Sequence, residues 1–141
     1  MITEDYVSFE TGKLLKEKGF NEGCLDYYAE ERIGDKKFIN RKFTEEYMHN
    51  YENFTPNFVC TAPALQKAMK WLREVHKLGI FPSTYTSVKG DDIKHAYGTS
   101  IVNMDTFEVI GNSDEDDYIF ESDSYEETAE KAIRHCLSNL I

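Results

Sequence analysis

The segment Ala62–Lys77, APALQKAMKWLREVHK, decides the fold of this chain. Its apolar arc recurs at helical spacing and consists of Ala64, Leu65, Ala68, Met69, Trp71, Leu72, Val75 and, at its edge, His76. At about 100° per residue these positions fill an arc of roughly 160°. Surface helices usually bury a narrower stripe, so we expect a central helix that is covered by a sheet and by a second helix or a second subunit. We expect Thr61 or Ala62 to cap this helix and Gly79 to end it.

Two further helices are predicted from their capping residues. Ser8 is a good N-cap and Gly19 is placed for a C-cap, so the first helix is expected over Ser8–Lys18. The last helix follows the capping box Ser124-Tyr125-Glu126-Glu127 and carries a helical repeat of apolar residues up to Leu140.

Strands and turns fill the intervals between the helices. A strand Cys24–Ala29, a turn over Arg32–Lys37 and a second extended piece near Phe38–Asn40 predict a hairpin. Arg41–Asn57 combines helical spacing with poor helix formers, so we interpret it as a partly ordered insertion. Before the central helix and after it, the predicted strands are Phe58–Cys60, Ile80–Val88, Ile93–Met104, Thr106–Ile110 and Tyr118–Glu121.

These elements predict an α+β fold in the order α-β-β-α-β-β-β-β-α, with an antiparallel sheet packed against the central and C-terminal helices. A length of 141 residues suits one domain, residues 1–141, that buries about two thirds of its unfolded surface. The wide apolar arc of the central helix also predicts a homodimer. The acidic start of the chain and the lack of a long apolar run favour a cytoplasmic protein and argue against a membrane protein.

The net charge of −10 is unevenly distributed. Residues 100–141 carry 11 acidic and 2 basic side chains, whereas residues 61–99 carry 3 acidic and 6 basic ones. Net negative charge repels phosphate, so direct nucleic-acid binding is not expected. Dense acidity costs self-repulsion, which favours a solvated loop, a surface that docks a basic partner, or a surface that mimics a nucleic-acid backbone.

The leading functional hypothesis is a non-enzymatic module that binds a protein partner through its acidic C-terminal surface and its tyrosines. Tyrosine suits interfaces because it combines apolar area with a polar tip. The residues predicted for this role are Asp114, Glu115, Asp116, Asp117, Glu121, Tyr27 and Tyr28.

A second hypothesis is a small-molecule binding protein that holds a phosphate-bearing ligand. Four basic residues lie on the flank of the central helix opposite the apolar arc: Lys67, Lys70, Arg73 and Lys77. Their alternative roles are a solvated face or an intramolecular partner for the acidic third of the chain.

Enzymatic chemistry is the third hypothesis and has the least support from the residues. The cysteines Cys24, Cys60 and Cys136 match no zinc or redox motif, and free buried thiols are expected. The four histidines have no partner at metal-ligand spacing, so neither a metal site nor a cofactor is predicted.

Three blocks, YVSFETGKLLKEKGF, APALQKAMKWLREVHK and SYEETAEKAIRHCLSNLI, resemble a family of small uncharacterised proteins encoded by phages and prophages of gut Bacteroidetes. The resemblance covers about a third of the chain, in its helices. It implies a phage-derived cytoplasmic protein with an accessory role, such as inhibiting a host enzyme or binding a signalling molecule. It carries no catalytic residues over to this sequence.

Overall fold

The chain forms helices and antiparallel strands in a computed structural model that describes residues 4–52, 55–110 and 120–141. The described elements are α1 (Phe9–Glu17), β1 (Cys24–Ile33), β2 (Lys36–Met48), β3 (Phe58–Thr61), α2 (Leu65–Val75), β4 (Leu78–Lys89), β5 (Asp92–Asn103), β6 (Val109–Ile110), α3 (Tyr125–His135) and a π-helical turn (Cys136–Leu140). The predicted α+β class is confirmed. The strands form two three-stranded antiparallel sheets instead of the one expected.

The chain divides into two compact units, unit 1 (Met1–Ala64) and unit 2 (Leu65–Ile141). Unit 1 contains α1 and the sheet β2-β1-β3, and unit 2 contains α2, α3 and the sheet β4-β5-β6. Each unit is described by itself below. One domain over residues 1–141 stays a prediction.

In unit 1, α1 begins and ends where its caps predict. The side chain of Ser8 accepts a hydrogen bond from the backbone N–H of Thr11 at 3.3 Å, and Gly19 follows the helix with a φ of +97°. Gly12 lets the helix approach β3 closely, because a Cβ at this position would lie 3.0 Å from the carbonyl oxygen of Thr61 and 3.1 Å from the Sγ atom of Cys60. The buried surface of α1 is formed by Thr11, Gly12 and Leu15.

The predicted hairpin in unit 1 is confirmed at its turn, and its second strand is longer than predicted. Ile33 pairs with Lys36 across Gly34-Asp35, and Gly34 has the positive φ of +64° that a tight turn favours. The interpretation of Arg41–Asn57 as a partly ordered insertion was wrong for its first half, because β2 runs on to Met48. Helical spacing of aromatic residues was misleading there, since Phe43 and Tyr47 are exposed and form no buried face.

Unit 2 is built around α2, as the sequence predicted. Leu65, Met69 and Leu72 are all buried, together with Ala68 and Trp71. The helix begins at Leu65, three residues later than Ala62, because Thr61 still belongs to β3. It ends at Val75, and Lys77 takes the left-handed conformation (φ +58°) that glycine usually supplies at this point.

Gly79 therefore does not end the central helix. It lies in β4, where an added Cβ would come within 2.4 Å of the Sδ atom of Met104 and 2.7 Å of the ring of Phe81. The apolar arc of α2 is buried within one chain, apart from the exposed Val75 and the half-buried positions Ala64 and His76. The arc thus gives no separate reason for a second subunit, and the homodimer stays a prediction.

The sheet of unit 2 packs one face against the helices. Ile80 and Ile101 are directly opposite each other in the β4–β5 ladder and both are buried. On the same face, the hydroxyl oxygen of Thr99 lies 2.9 Å from that of Thr128 in α3. The helix α3 begins at the predicted cap, where the Ser124 side chain accepts from the backbone N–H of Glu127 at 3.1 Å.

The strands predicted after β5 are shorter than expected or fall partly outside the described residues. Only Val109–Ile110 of the predicted Thr106–Ile110 forms a strand, β6. The predicted strand Tyr118–Glu121 begins outside the described residues, and the next pairing there is a single antiparallel bridge between Tyr97 and Ser122. The observed order is therefore α-β-β-β-α-β-β-β-α among the described elements. The predicted order counted two strands before α2, although the three found there were each predicted individually, and it counted one strand more after α2 than is described.

Candidate interaction surface

The β5–β6 turn, residues 104–108, is held by a dense set of hydrogen bonds around Asn103. The side-chain oxygen of Asn103 accepts from the backbone N–H of Asp105 at 2.9 Å and of Thr106 at 3.2 Å. The backbone oxygen of Asn103 accepts from the N–H of Phe107 at 2.7 Å, and its own N–H donates to the oxygen of Glu108 at 2.8 Å. An asparagine that bonds to the backbone two residues on defines the turn locally. The turn is therefore ordered before any partner arrives.

Phe107 is the unusual residue of this turn. Its φ is +61°, in the left-handed region, and its side chain is 76% exposed. A residue with a Cβ pays about 1–2 kcal/mol for that backbone conformation. An exposed phenylalanine also forgoes the stabilisation of about 1.5–3 kcal/mol that burial of its side chain would give. Neither the left-handed backbone nor the exposed ring of Phe107 contributes to the packing of unit 2. Backbone strain of this kind is often found at functional sites.

Next to this turn, the outer face of the second sheet is apolar. Gly79 pairs with Val102, and Val102 pairs with Val109, so these residues share the face opposite to that of Ile80 and Ile101. Phe81 lies on the same face and covers Gly79 together with the sulfur of Met104. Phe81 is 49% and Val109 is 50% exposed. We call Phe81, Val102, Met104 and Val109 the apolar patch.

The β5–β6 turn beside the apolar patch carries two acidic residues and no basic one. Asp105 and Glu108 are exposed in the β5–β6 turn, and neither has an ion-pair partner among the described residues. They belong to residues 100–141, with their 11 acidic and 2 basic side chains. Phe107 therefore has an exposed acidic residue two positions before it and another one position after it in the turn.

Of the acidic residues predicted for interaction, Asp114, Glu115, Asp116 and Asp117 lie outside the described residues. Glu121 is described, and its carboxylate accepts from the ammonium of Lys94 at 2.5 Å. This hydrogen bond raises the pKa of Lys94. Glu121 is thus engaged within unit 2, while its role toward a partner stays a prediction.

The predicted tyrosines pack against other residues of unit 1. The hydroxyl of Tyr28 donates to the backbone oxygen of Val7 at 2.5 Å, and its ring meets Phe9 edge to face at 5.5 Å. The ring of Tyr27 lies 5.8 Å from that of Phe58. Both tyrosines are half-buried, so most of their aromatic area is used inside unit 1.

The basic residues predicted for a phosphate ligand are only partly brought together. Lys70 and Arg73 are exposed on α2 and Lys67 is half-buried. Their spacing of three residues places them along one side of the helix. Lys77 lies beyond the end of α2, at the left-handed position described above. The role of these four residues toward a phosphate stays a prediction.

The cysteines are free and buried, as predicted. Burial raises the pKa of Cys60 and of Cys136 to about 12, because an apolar surrounding disfavours the thiolate. Among residues 4–52, 55–110 and 120–141, no group of three or more His, Cys, Asp or Glu side chains is placed to hold a metal ion. No helix in these ranges has the length and apolar character that crossing a bilayer requires.

Comparisons with protein-family models, with curated proteins and with solved structures gave no match.

Proposed function

We propose that this protein is a non-enzymatic interaction module that binds a positively charged protein partner through the β5–β6 turn and the apolar patch. The observation that carries the proposal is the exposed Phe107, held in the left-handed region by the hydrogen bonds of Asn103. Aromatic residues in well-ordered positions commonly dominate the binding energy of interfaces. Since the turn is already ordered, little conformational entropy is lost when a partner covers it.

Phe107 acts as the anchor, and the apolar patch supplies the surrounding contact. Burial of a phenylalanine side chain contributes about 1.5–3 kcal/mol, which corresponds to about one to two orders of magnitude in affinity. Phe81 and Val109 are each about half exposed and have further area to bury. These side chains form an apolar centre with acidic residues at its rim, as in many protein interfaces.

The negative charge selects the partner and accelerates the encounter. Asp105 and Glu108 flank the anchor, and the predicted residues Asp114–Asp117 and Glu121 extend the acidic surface along the sequence. Such a surface attracts a basic protein and repels acidic competitors. With the resemblance to phage proteins, the proposed setting is the cytoplasm of a bacterial host, with a host protein as the partner.

The test compares capture of bacterial proteins by the wild-type chain and by Phe107→Gly. Glycine tolerates the left-handed backbone, so this variant removes the anchor without disturbing the turn. The matched control is Val88→Ser, which removes another exposed apolar side chain (65% exposed) from the tip of the β4–β5 hairpin. We expect a specific partner to be lost with Phe107→Gly and retained with Val88→Ser.

Ionic strength tests the electrostatic part of the proposal. Exposed charges are screened over about 8 Å at physiological salt. We therefore expect the affinity for the captured partner to fall steadily as salt is raised. A partner that is captured equally by Phe107→Gly, or one that binds equally at low and high salt, contradicts the proposed surface.

A further inference from the structure

The strand β2 forms an edge of the first sheet. The strand order is β2-β1-β3, and β2 extends over 13 residues without a proline. In the described part of the chain, no strand pairs with its outer side. The edge strand β4 of the second sheet differs, because Pro82 interrupts its row of backbone donors.

Two backbone hydrogen bonds show which groups of β2 face the open edge. The carbonyl oxygen of Asp26 accepts from the N–H of Ala62, and the N–H of Glu30 donates to the oxygen of Asn57, each at 2.9 Å. Asp26 and Glu30 therefore direct their backbone groups away from β2. In an antiparallel ladder, their opposite residues, Phe43 and Ile39, direct theirs away from β1.

By the strand period of two, Lys37 and Arg41 also point their N–H and C=O groups outward. Over Lys36–Phe43 the ladder with β1 is regular, and the register shifts only beyond Phe43. This stretch of β2 is therefore a ready template for one further strand. We call it the open edge of β2.

The side chains along the open edge are basic and apolar. Residues 36–43, KKFINRKF, contain four basic residues and no acidic one, in a chain whose net charge is −10. Phe38, Ile39 and Phe43 are exposed by 42%, 38% and 68% of their surface.

Three of the four bases have intramolecular partners. The Nζ atom of Lys37 lies 3.5 Å from a carboxylate oxygen of Glu30, and Lys42 forms an ion pair with Glu31. The Nε atom of Arg41 lies 4.0 Å from a carboxylate oxygen of Asp26, and its guanidinium lies over the ring of Tyr6. The side chains of all three bases are substantially exposed. The ion pairs of Lys37 and Lys42 are exposed on both sides and contribute little to stability, so these two bases can exchange partners when a new strand is added.

A second copy of β2 does not suit the open edge. In an antiparallel pairing centred on Asn40, Arg41 would lie opposite Ile39, and Lys42 would lie opposite Phe38. In this register Arg41 is the diagonal neighbour of Lys37 and of the second Arg41, and none of the four bases lies opposite a carboxylate. Like charges on neighbouring strands destabilise pairing.

We propose that the open edge of β2 binds an extended acidic segment of a partner protein as a fourth strand of the first sheet. Backbone hydrogen bonds to Lys37, Ile39, Arg41 and Phe43 hold the segment. Its carboxylates meet the two bases on one face of the sheet, either Lys37 and Arg41 or Lys36 and Lys42. This site lies in unit 1 and selects acidic partners, so it is independent of the β5–β6 turn. The protein thereby carries two binding surfaces of opposite charge preference.

The probe is a fluorescein-labelled peptide of about ten residues in which Glu alternates with Val or Thr, a composition suited to an extended strand. We expect fluorescence anisotropy to report saturable binding to the full chain. A peptide with Lys in place of Glu is expected to bind at least about tenfold more weakly. An acidic peptide that is N-methylated on the residues facing β2 is expected to lose a similar factor, because it cannot donate to the edge.

The protein-side variant is Ile39→Pro, which removes one outward N–H and leaves the ladder with β1 intact. Its matched control is Ile39→Thr, which shortens the side chain and keeps the N–H. We expect about tenfold weaker binding for Ile39→Pro than for Ile39→Thr. If circular dichroism shows that Ile39→Pro does not fold, the N-methylated peptide tests the same hydrogen bonds from the peptide side.

Two outcomes overturn the proposal: no saturable binding of the acidic peptide, or equal binding of the acidic peptide and its N-methylated form. Phe107→Gly is expected to leave peptide binding unchanged. A failure at the open edge is thus distinguishable from a failure of the proposed function at the turn.

Discussion

The hydroxyl oxygens of Thr99 and Thr128 lie 2.9 Å apart in the buried interface between β5 and α3. The hydroxyl of Thr128 also donates to the backbone oxygen of Phe120 at 2.5 Å. A hydroxyl has one proton, so Thr99 must be the donor to Thr128. The result is a relay from the sheet through the helix to the segment that precedes α3.

Thr128→Val is expected to destabilise the protein more than Thr99→Val. The first change removes both hydrogen bonds and leaves the Thr99 hydroxyl buried without an acceptor, whereas the second removes one. We expect about 1–3 kcal/mol for Thr128→Val and about 0.5–1.5 kcal/mol for Thr99→Val in urea unfolding. The double variant should be less destabilised than the sum of the two, and strict additivity would contradict the relay.

Gly12→Ala is expected to loosen the contact between α1 and β3. Alanine favours a helix by up to about 1 kcal/mol over glycine, but its Cβ would press against the oxygen of Thr61 and the sulfur of Cys60. We expect a net loss of about 1–3 kcal/mol, measured by urea unfolding. Cys60→Ala in the Gly12→Ala background should cost less than in the wild type, because it removes one of the two clashes. A stabilised Gly12→Ala would show that α1 can move away from β3 without loss.

Phe107→Gly is expected to raise the free energy of unfolding by about 1 kcal/mol. The substitution relieves the left-handed strain at φ +61° and removes no buried contact. Glycine also raises the conformational entropy of the unfolded chain, which cancels part of this stabilisation. Phe107→Ala keeps the strain, so its stability should stay near that of the wild type. Equal stability of the glycine and alanine variants would show that the turn stores no strain.

Stability is expected to decrease between pH 9 and pH 12 through the two cysteines whose pKa is shifted. Burial raises the pKa of Cys60 from 9.0 to about 12 in the folded state, so the unfolded state loses its proton first as the pH rises. The contribution is complete below pH 9 and is lost as the pH approaches 12. We expect a shallower decline for Cys60→Val, measured as the urea midpoint at successive pH values. A decline of the same slope in both proteins would assign the effect to other groups.

The helices and turns were predictable because their signals are local. Ser8 and Ser124 cap the helices they were expected to cap, and Leu65, Met69 and Leu72 are buried on the face that their spacing indicated. The hairpin turns at Gly34 and Gly90 have the positive φ values that glycine supplies. Each of these features depends on residues within one or two helical turns of each other.

The sheets were less predictable because pairing depends on residues that are distant in sequence. Nothing local to Cys24–Ile33 and Leu78–Lys89 indicates that these strands belong to separate sheets. The helical spacing of Phe43 and Tyr47, set against the poor helix formers around them, led to the prediction of a partly ordered insertion where β2 continues, and both side chains are exposed. Apolar residues at helical spacing indicate a helix only when the face that they would form is buried.

The candidate surface was only partly visible in the sequence. Asn103, followed by Asp105 and Thr106, is typical of an asparagine turn, so the turn itself could have been found. The left-handed backbone of Phe107 could not, because phenylalanine rarely adopts it. The net charge of −10 likewise concealed the basic segment of residues 36–43, since a total says little about one strand.

The absence of a side chain at position 12 links that position to Cys60 and Thr61 in any sequence that shares this architecture. A relative with a larger residue at the first position must shift its first helix outward or compensate with a smaller residue where Cys60 stands. Linked changes at positions 12 and 60 would therefore identify homologues that share this fold, even where the overall sequence identity is low.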